Sequence, residues 1–248
     1  MEDTSYIALS RQSALWREME VVANNMANAN TPGYKAEQMM FRDYVVKAKS
    51  PISPFGRKVD FVQDVGMLRD TREGPMTQTH APLDVALHGE GYFVLDTPAG
   101  PRYTRQGHFR LDQNGMMVNS AGYPVTLTNG QPVVFAPNET QITVAGDGTV
   151  STENGVIGQL HVVRFDNEQT LRNAGSGMYQ TTDTALNVDR PSVVQGMLEE
   201  SNVQPVVEVT KMMTILRNYE GVQKMIDGED TRQQKAMSVL SQAQQQSA

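Results

Sequence analysis

The chain has helical apolar periodicity at both ends and frequent turn residues between them, and that layout limits the folds open to it. Over residues 5–29, Ala8, Leu15, Met19, Val22 and Met26 recur mostly at three- and four-residue steps, with Gln12 in the skipped position. The stripe is narrow, nearer a coiled-coil seam than the broad face of a globular helix. At 1.5 Å per residue such a helix spans roughly 35–40 Å. Asp3 or Thr4 can cap it. Trp16, the only tryptophan, lies beside the seam. The pattern returns over residues 199–244. Ser201 or Asn202 can cap there, and Pro205 suits a first turn. Val209, Met212, Leu216, Tyr219 and Ile226 form the second seam, and Met237 and Leu240 extend it. Asp230 and Gln233 weaken it, and the last residues, from Ser241, are expected to fray.

Residues 81–185 read as a train of short antiparallel strands. Tyr92-Phe93-Val94-Leu95 turns at Ala99-Gly100 into Arg102-Tyr103-Thr104-Arg105, and Phe109-Arg110-Leu111 pairs with Met117-Val118 across Asp112–Gly115. Asn129-Gly130, Asp147-Gly148 and Asn154-Gly155 are hairpin signals, because Asn-Gly and Asp-Gly supply the positive φ angles of tight turns. Gln159–Phe165 alternates. Residues 36–80 show no lasting period, apart from a short strand around Val59, Phe61 and Val65 and a loop at Ser50–Gly56. They read as a connecting segment, as do residues 186–199. The expected class is mainly β, with residues 81–185 as an antiparallel β domain. Residues 1–35 and 200–248 form a discontinuous, coiled-coil-like helical domain.

The first helix closes on Asn24-Asn25-Met26-Ala27-Asn28-Ala29-Asn30-Thr31-Pro32-Gly33-Tyr34-Lys35. Four asparagines are a poor choice if helix stability were the only demand. Ala23, Ala27 and Ala29 keep the region thin. Pro32 pushes Thr31 out of the α region and Gly33 permits a positive φ, so the helix stops there. Tyr34 can pin the redirected chain.

Asn24, Asn25, Met26, Ala27 and Asn28, then Thr31, Gly33, Tyr34, Lys35 and Phe41, resemble the N-terminal signature of bacterial flagellar rod and hook proteins. That signature reads N-N-L-A-N, two residues, T, one residue, G-F-K, with Met26 and Tyr34 here replacing Leu and Phe. Leu83-Asp84-Val85-Ala86, Gly89, Gly91-Tyr92-Phe93, Tyr103-Thr104-Arg105, Gly107, Phe109, Asn114-Gly115 and Gly122-Tyr123 are similar to the family's β-domain run. Glu200-Ser201-Asn202-Val203 and Leu216-Arg217-Asn218-Tyr219-Glu220 are similar to its C-terminal blocks, although the Gln and Ala of the usual Q-R-A-Y-E centre differ. Thr104 and Arg105 are expected as cross-strand and surface partners. The compact span from Phe41 to Leu83, without a second inserted β domain, disfavours the hook member and favours the proximal-rod kind. The distal-rod kind is the alternative.

The resemblance implies a structural subunit that assembles with copies of itself and other rod proteins. It also implies export through the flagellar type III channel without a cleaved signal, to a periplasmic rod. On this reading the two helical ends pair as the inner wall. Asn24, Asn25 and Asn28 set register with neighbouring subunits, as a buried Asn does in coiled coils. Thr31, Gly33, Tyr34, Ser201, Asn202 and Arg217 join the seam residues as assembly positions. Helices of this length and composition are marginal alone. Both ends are therefore expected to order on assembly and to be largely disordered in a free subunit.

Other functions find little support. A net charge of −7 and the lack of a basic stripe argue against nucleic acid. No cysteine is present, so thiolate metal sites and disulfides are excluded. No signal peptide or membrane span is read. His80, His88, His108 and His161 stand in no metal-ligand spacing. Gly175-Ser176-Gly177 is not a nucleophile elbow, and neither a phosphate loop nor a dinucleotide fingerprint occurs. No catalytic residue, metal, cofactor or small-molecule substrate is expected. The competing reading is a β-domain binding module oligomerised by its terminal helices.

Overall fold

A computed structural model describes the backbone of residues 2–48, 57–137 and 139–246, and the side chains of 6–40, 66–137 and 139–239. The chain forms two compact units. One comprises Met1–Met26, Glu37–Leu68 and Pro205–Ala248, the other Ala27–Ala36 and Arg69–Gln204.

The second unit is the β body. Its main sheet runs, in spatial order, Arg172–Asn173, Met178–Gln180, Arg102–Thr104, Tyr92–Leu95, Val162–Arg164 and Leu186–Asn187, every pair antiparallel. Tyr92–Leu95 is buried along its whole length. Successive side chains of a strand point to opposite faces, so this strand feeds two cores. Phe93 and Leu95 pack with Val85, Phe109, Met117 and Val125. Tyr92 and Val94 pack with Tyr103, Phe165 and Tyr179 on the other face. Edge-on aromatic pairs such as Phe93–Phe109, with centroids 5.4 Å apart, fix the packing geometry.

The expected hairpins are present. Leu111 pairs with Met117 and Arg110 with Val118. The Asp112 carboxylate accepts from the Asn114 and Met116 amides and shapes that turn. Thr152 pairs with Gly155 across Asn154. The expected strand at Gln159–Phe165 is divided between Gly155–Gln159 and Val162–Arg164.

The segments read as connectors carry strands. Ser192–Gln195 pairs with Val85–His88, and Met197–Glu199 pairs with Met76–Gln78. Strands of three or four residues are too short to establish a period, so residues 186–199 gave no signal. Within 36–80, β1 (Glu37–Ala48) and β2 (Arg57–Arg69) form a two-stranded sheet. The expected Val59–Val65 strand falls inside β2. The Ser50–Gly56 loop lies outside the described residues.

In the first unit, α1 spans Glu2–Ala27 and α2 spans Pro205–Gln246. The helices run antiparallel: Gln12 Nε2 donates to Gln223 Oε1 at 2.6 Å, and Trp16 packs on Tyr219. Both ends, expected to be disordered in a free subunit, are helical here. α1 begins ahead of the expected caps Asp3 and Thr4, and α2 continues past Ser241. The shared core is thin. Leu15, Val22 and Ile215 are buried, with Met19, Met212, Tyr219 and Val222 partly covered. Among the described residues, the larger core of the β body has sixteen buried members, against three in the helical pair.

Gly107 marks the tightest packing in the β body, since a Cβ there would lie 1.7 Å from the Val85 carbonyl oxygen. Gly107→Ala is expected to cost at least about 2 kcal/mol in urea unfolding, because backbone rather than a flexible side chain must move. Val156→Ala, at a 72 % exposed position, should stay within about 0.5 kcal/mol of the parent.

Candidate functional site

The asparagine-rich motif and the Glu199–Val203 stretch meet in the β body. After α1 ends, the Thr31 amide donates to the Asn28 carbonyl and the Tyr34 amide to the Thr31 carbonyl, which turns the chain. Gly33 has φ of 67°, and a Cβ on it would lie 2.6 Å from the Arg105 backbone. Only glycine meets both demands. The Gly33 amide then donates to the Glu199 carbonyl at 2.7 Å, and the Asn202 amide to the Tyr34 carbonyl at 3.3 Å. Tyr34, Ala36 and Val203 are buried together, with Ala29 against them.

Asn202 completes the join. Its Oδ1 accepts from the Ala36 amide at 2.7 Å, and its Nδ2 donates to the Asp70 and Arg72 carbonyls. Ser201 Oγ accepts from the Val203 amide. Neither residue caps α2, as the sequence suggested, because the helix starts later, at Pro205. Their polar groups satisfy the chain crossing instead.

At the centre is Glu199, 2 % exposed. Its Oε1 accepts from Lys35 Nζ at 2.6 Å and the Gly74 amide at 3.0 Å, and its Oε2 accepts from Arg105 Nε at 2.5 Å. Lys35 Nζ also donates to the Arg72 carbonyl. Arg105 spends its remaining donors on the carbonyls of Gly91, Leu87 and Gly89. Arg105 was expected at the surface. It is buried, because three loop carbonyls, the Glu199 carboxylate and, at 3.5 Å, the Glu73 carboxylate replace the water it gives up. Thr104 is a cross-strand partner as expected, and its hydroxyl donates to the Gly177 carbonyl.

Burial pushes the Glu199 pKa up, but the pull of Arg105 and Lys35 outweighs it and leaves the carboxyl below its ordinary value. Burial draws Lys35 down further than Glu199 raises it. A buried ionic group is expensive unless every member is hydrogen-bonded, and here each has several partners.

In the helical unit, Asn25 is the buried asparagine. Its side chain accepts from the Glu37 amide at 2.9 Å and donates to the Glu37 carbonyl at 2.8 Å and to Glu208 Oε2 at 3.2 Å. Lys211 Nζ meets the other Glu208 oxygen at 2.6 Å. Asn25 thus joins α1, β1 and α2 within one chain, where the sequence suggested contact with neighbours. Asn24 is exposed and Asn28 half-buried, with the Thr31 hydroxyl donating to Asn28 Oδ1.

The structure shifts the α2 seam. Its covered positions run Glu208, Met212, Ile215, Tyr219, Val222, Ile226, Glu229 and Gln233, an unbroken four-three spacing with Lys211 half-covered beside it, so the seam continues past the point where Asp230 and Gln233 were expected to weaken it. Val209 and Leu216 are exposed, as are Met26 and Arg217. The charge on Glu208 hid the first position and moved the reading to Val209. The helices also expose large apolar groups to solvent, including Tyr6, Leu9, Val206, Met213 and Met237, and Trp16 is half-exposed beside Tyr219.

Among the described residues, no group of three or more His, Asp or Glu could hold a metal. His108 pairs with Asp84 at 2.6 Å and His88 with Glu73 at 3.0 Å. Among the same residues, no helix is long and apolar enough to cross a membrane.

Three family models match in chain order. "Flagella basal body rod protein" covers residues 6–35, "Flagellar hook protein FlgE/F/G D1 domain" 86–152, and "Flagellar basal body rod FlgEFG protein C-terminal" 194–239. The matched stretches are α1 with its turn, much of the β body, and the Glu199 stretch with most of α2. The chain belongs to the flagellar basal-body rod family and is a structural subunit of the rod. Among curated relatives, it is 42 % identical to the flagellar basal-body rod protein FlgF of Caulobacter vibrioides, over 92 % of this chain and 93 % of that one. FlgF of Mesorhizobium japonicum is 32 % identical over 97 % and 98 %. FlgG of Bacillus subtilis is 30 % identical over 91 % and 94 %.

Asn25→Leu is expected to strand the Glu37 backbone groups and lower the stability of the helical unit by about 1–3 kcal/mol. Loss of 222 nm ellipticity at reduced temperature, with the β body unchanged, would read it out. The depressed Glu199 pKa means its stabilisation is present above its ordinary value of 4.5 and is lost as pH falls through the lower folded value. Glu199→Gln should therefore flatten the dependence of stability on pH below 4.5. An unchanged acid limb would contradict that assignment.

Proposed function

We propose that this chain is a proximal-rod subunit of the FlgF kind. The observation that carries the reading is the 42 % identity to the FlgF of Caulobacter vibrioides over nearly the whole of both chains, against 31 % to the FlgG of the same organism. The α1–α2 pair lines the inside of the rod, and the β body packs outside and sets spacing. The many large apolar side chains that the helices expose, such as Tyr6, Leu9, Val206 and Met213, support this reading, because such groups gain when a neighbour covers them. A contact between different faces of successive subunits, with a rotation that does not close, generates a helical tube.

Copies of the same chain and other rod proteins are the partners. The subunit reaches the periplasmic rod as an unfolded chain through the flagellar type III export machinery. It acts neither as an enzyme nor on nucleic acid or a small molecule. The thin helical core supports ordering of both ends against neighbours, since so little apolar surface is buried within the pair.

Deleting the gene should abolish swimming and leave basal bodies whose rod is cut short within its proximal part, with the plasmid-borne chain restoring both. Complete basal bodies and normal swimming in the deletion strain would overturn the reading. Rods missing only their distal part would favour the distal-rod alternative.

A further inference from the structure

We propose that Lys35, Glu199 and Asn202 form a clasp that is already closed in the free subunit and positions both chain ends for assembly. The proposal rests on the rod-subunit reading for its purpose, but not for its geometry. The stretch leaving α1 and the stretch leading to α2 are far apart in sequence, yet in the β body they run side by side. Two backbone hydrogen bonds, Gly33 to Glu199 and Asn202 to Tyr34, make the first layer. The buried Lys35–Glu199 pair and the Ala36–Asn202 bond make the second.

Every partner of the clasp comes from the β body itself. Arg105 anchors Glu199 to the loop at Leu87–Gly91, Gly74 holds the other carboxylate oxygen, and Asn202 binds the Asp70 and Arg72 carbonyls. No neighbouring subunit is needed to satisfy any of them. The clasp therefore forms with the β body, whereas the helices depend on a thin seam. A subunit built this way arrives with both helix attachments held together, and a neighbour has only to order the helices beyond them. Lys35, Glu199 and Asn202 are positioning residues in this scheme, since they act through the chain they hold.

Lys35→Met separates this role from general stability. It removes one cation but leaves Glu199 paired with Arg105, so charge stays balanced inside the β body. In a dilute full-length subunit, hydrogen exchange should find the Gly33 and Ala36 amides protected. Lys35→Met should speed both at least tenfold and leave Val94 and Val125, whose amides bond within the β body, unchanged. Asn202→Ala, which disturbs no buried charge, should speed Ala36 alike and so covers the case where Lys35→Met fails to fold. Either variant should be secreted yet build rods at less than a tenth of the parental yield. Unprotected Gly33 and Ala36 amides in the parent, or rods at parental yield from both variants, would overturn the clasp. Failure of the parental chain to restore swimming to a deletion strain would instead count against the rod reading alone.

Discussion

The carboxylate of Glu199 is the contact on which the join between the two chain stretches in the β body depends. Two cations and a backbone amide converge on it from three separate stretches of chain. Desolvating a carboxylate is costly, and this one is held in place because each oxygen is hydrogen-bonded to a cation and one of them to an amide as well. Its partners are engaged in turn. Arg105 organises the carbonyls of the Leu87–Gly91 loop, which follows the strand that carries Val85 and Leu87 into the core. Removing Glu199 would leave two buried cations facing each other, so the same group that joins the chain ends also keeps the loop in shape.

The two units differ in how they are stabilised. The β body has a strand buried on both faces, two apolar cores and a saturated ionic cluster. The helical pair has a narrow seam with Asn25 and Glu208 within it, and methionines such as Met213 and Met237 are exposed along it. For a monomeric protein that would be a weak design. On the proposed reading it separates two tasks: the body holds its own shape, and the helices leave their apolar surface for neighbours. Methionine suits those faces because its unbranched, polarisable side chain adapts to irregular contacts.

Much of this was legible in the residues. The turn pairs Asp112–Gly115 and Asn154-Gly155 placed hairpins correctly, because positive φ angles demand particular side chains. The helical period placed α1 and α2 to within a few residues. The three-residue strands at Met76–Gln78 and Met197–Glu199 were not legible, since pairing rather than pattern defines them. Glu208 broke the apparent seam because a charge reads as exposed until its partners, Asn25 and Lys211, are known. The burial of Arg105, Lys35 and Glu199 was likewise hidden. Each looks like a surface residue alone, and only the fold brings residues 164 positions apart to one point.

The most direct measurement is urea unfolding of the dilute, lone subunit followed by two probes at once. Trp16, the sole tryptophan, reports on the helical pair through its contact with Tyr219, and near-ultraviolet ellipticity of Tyr92, Tyr103 and Tyr179 reports on the β body. Two separate transitions, with the Trp16 signal lost at clearly lower urea, are the result predicted for a firm body carrying helices that await neighbours. A single coincident transition would contradict that account.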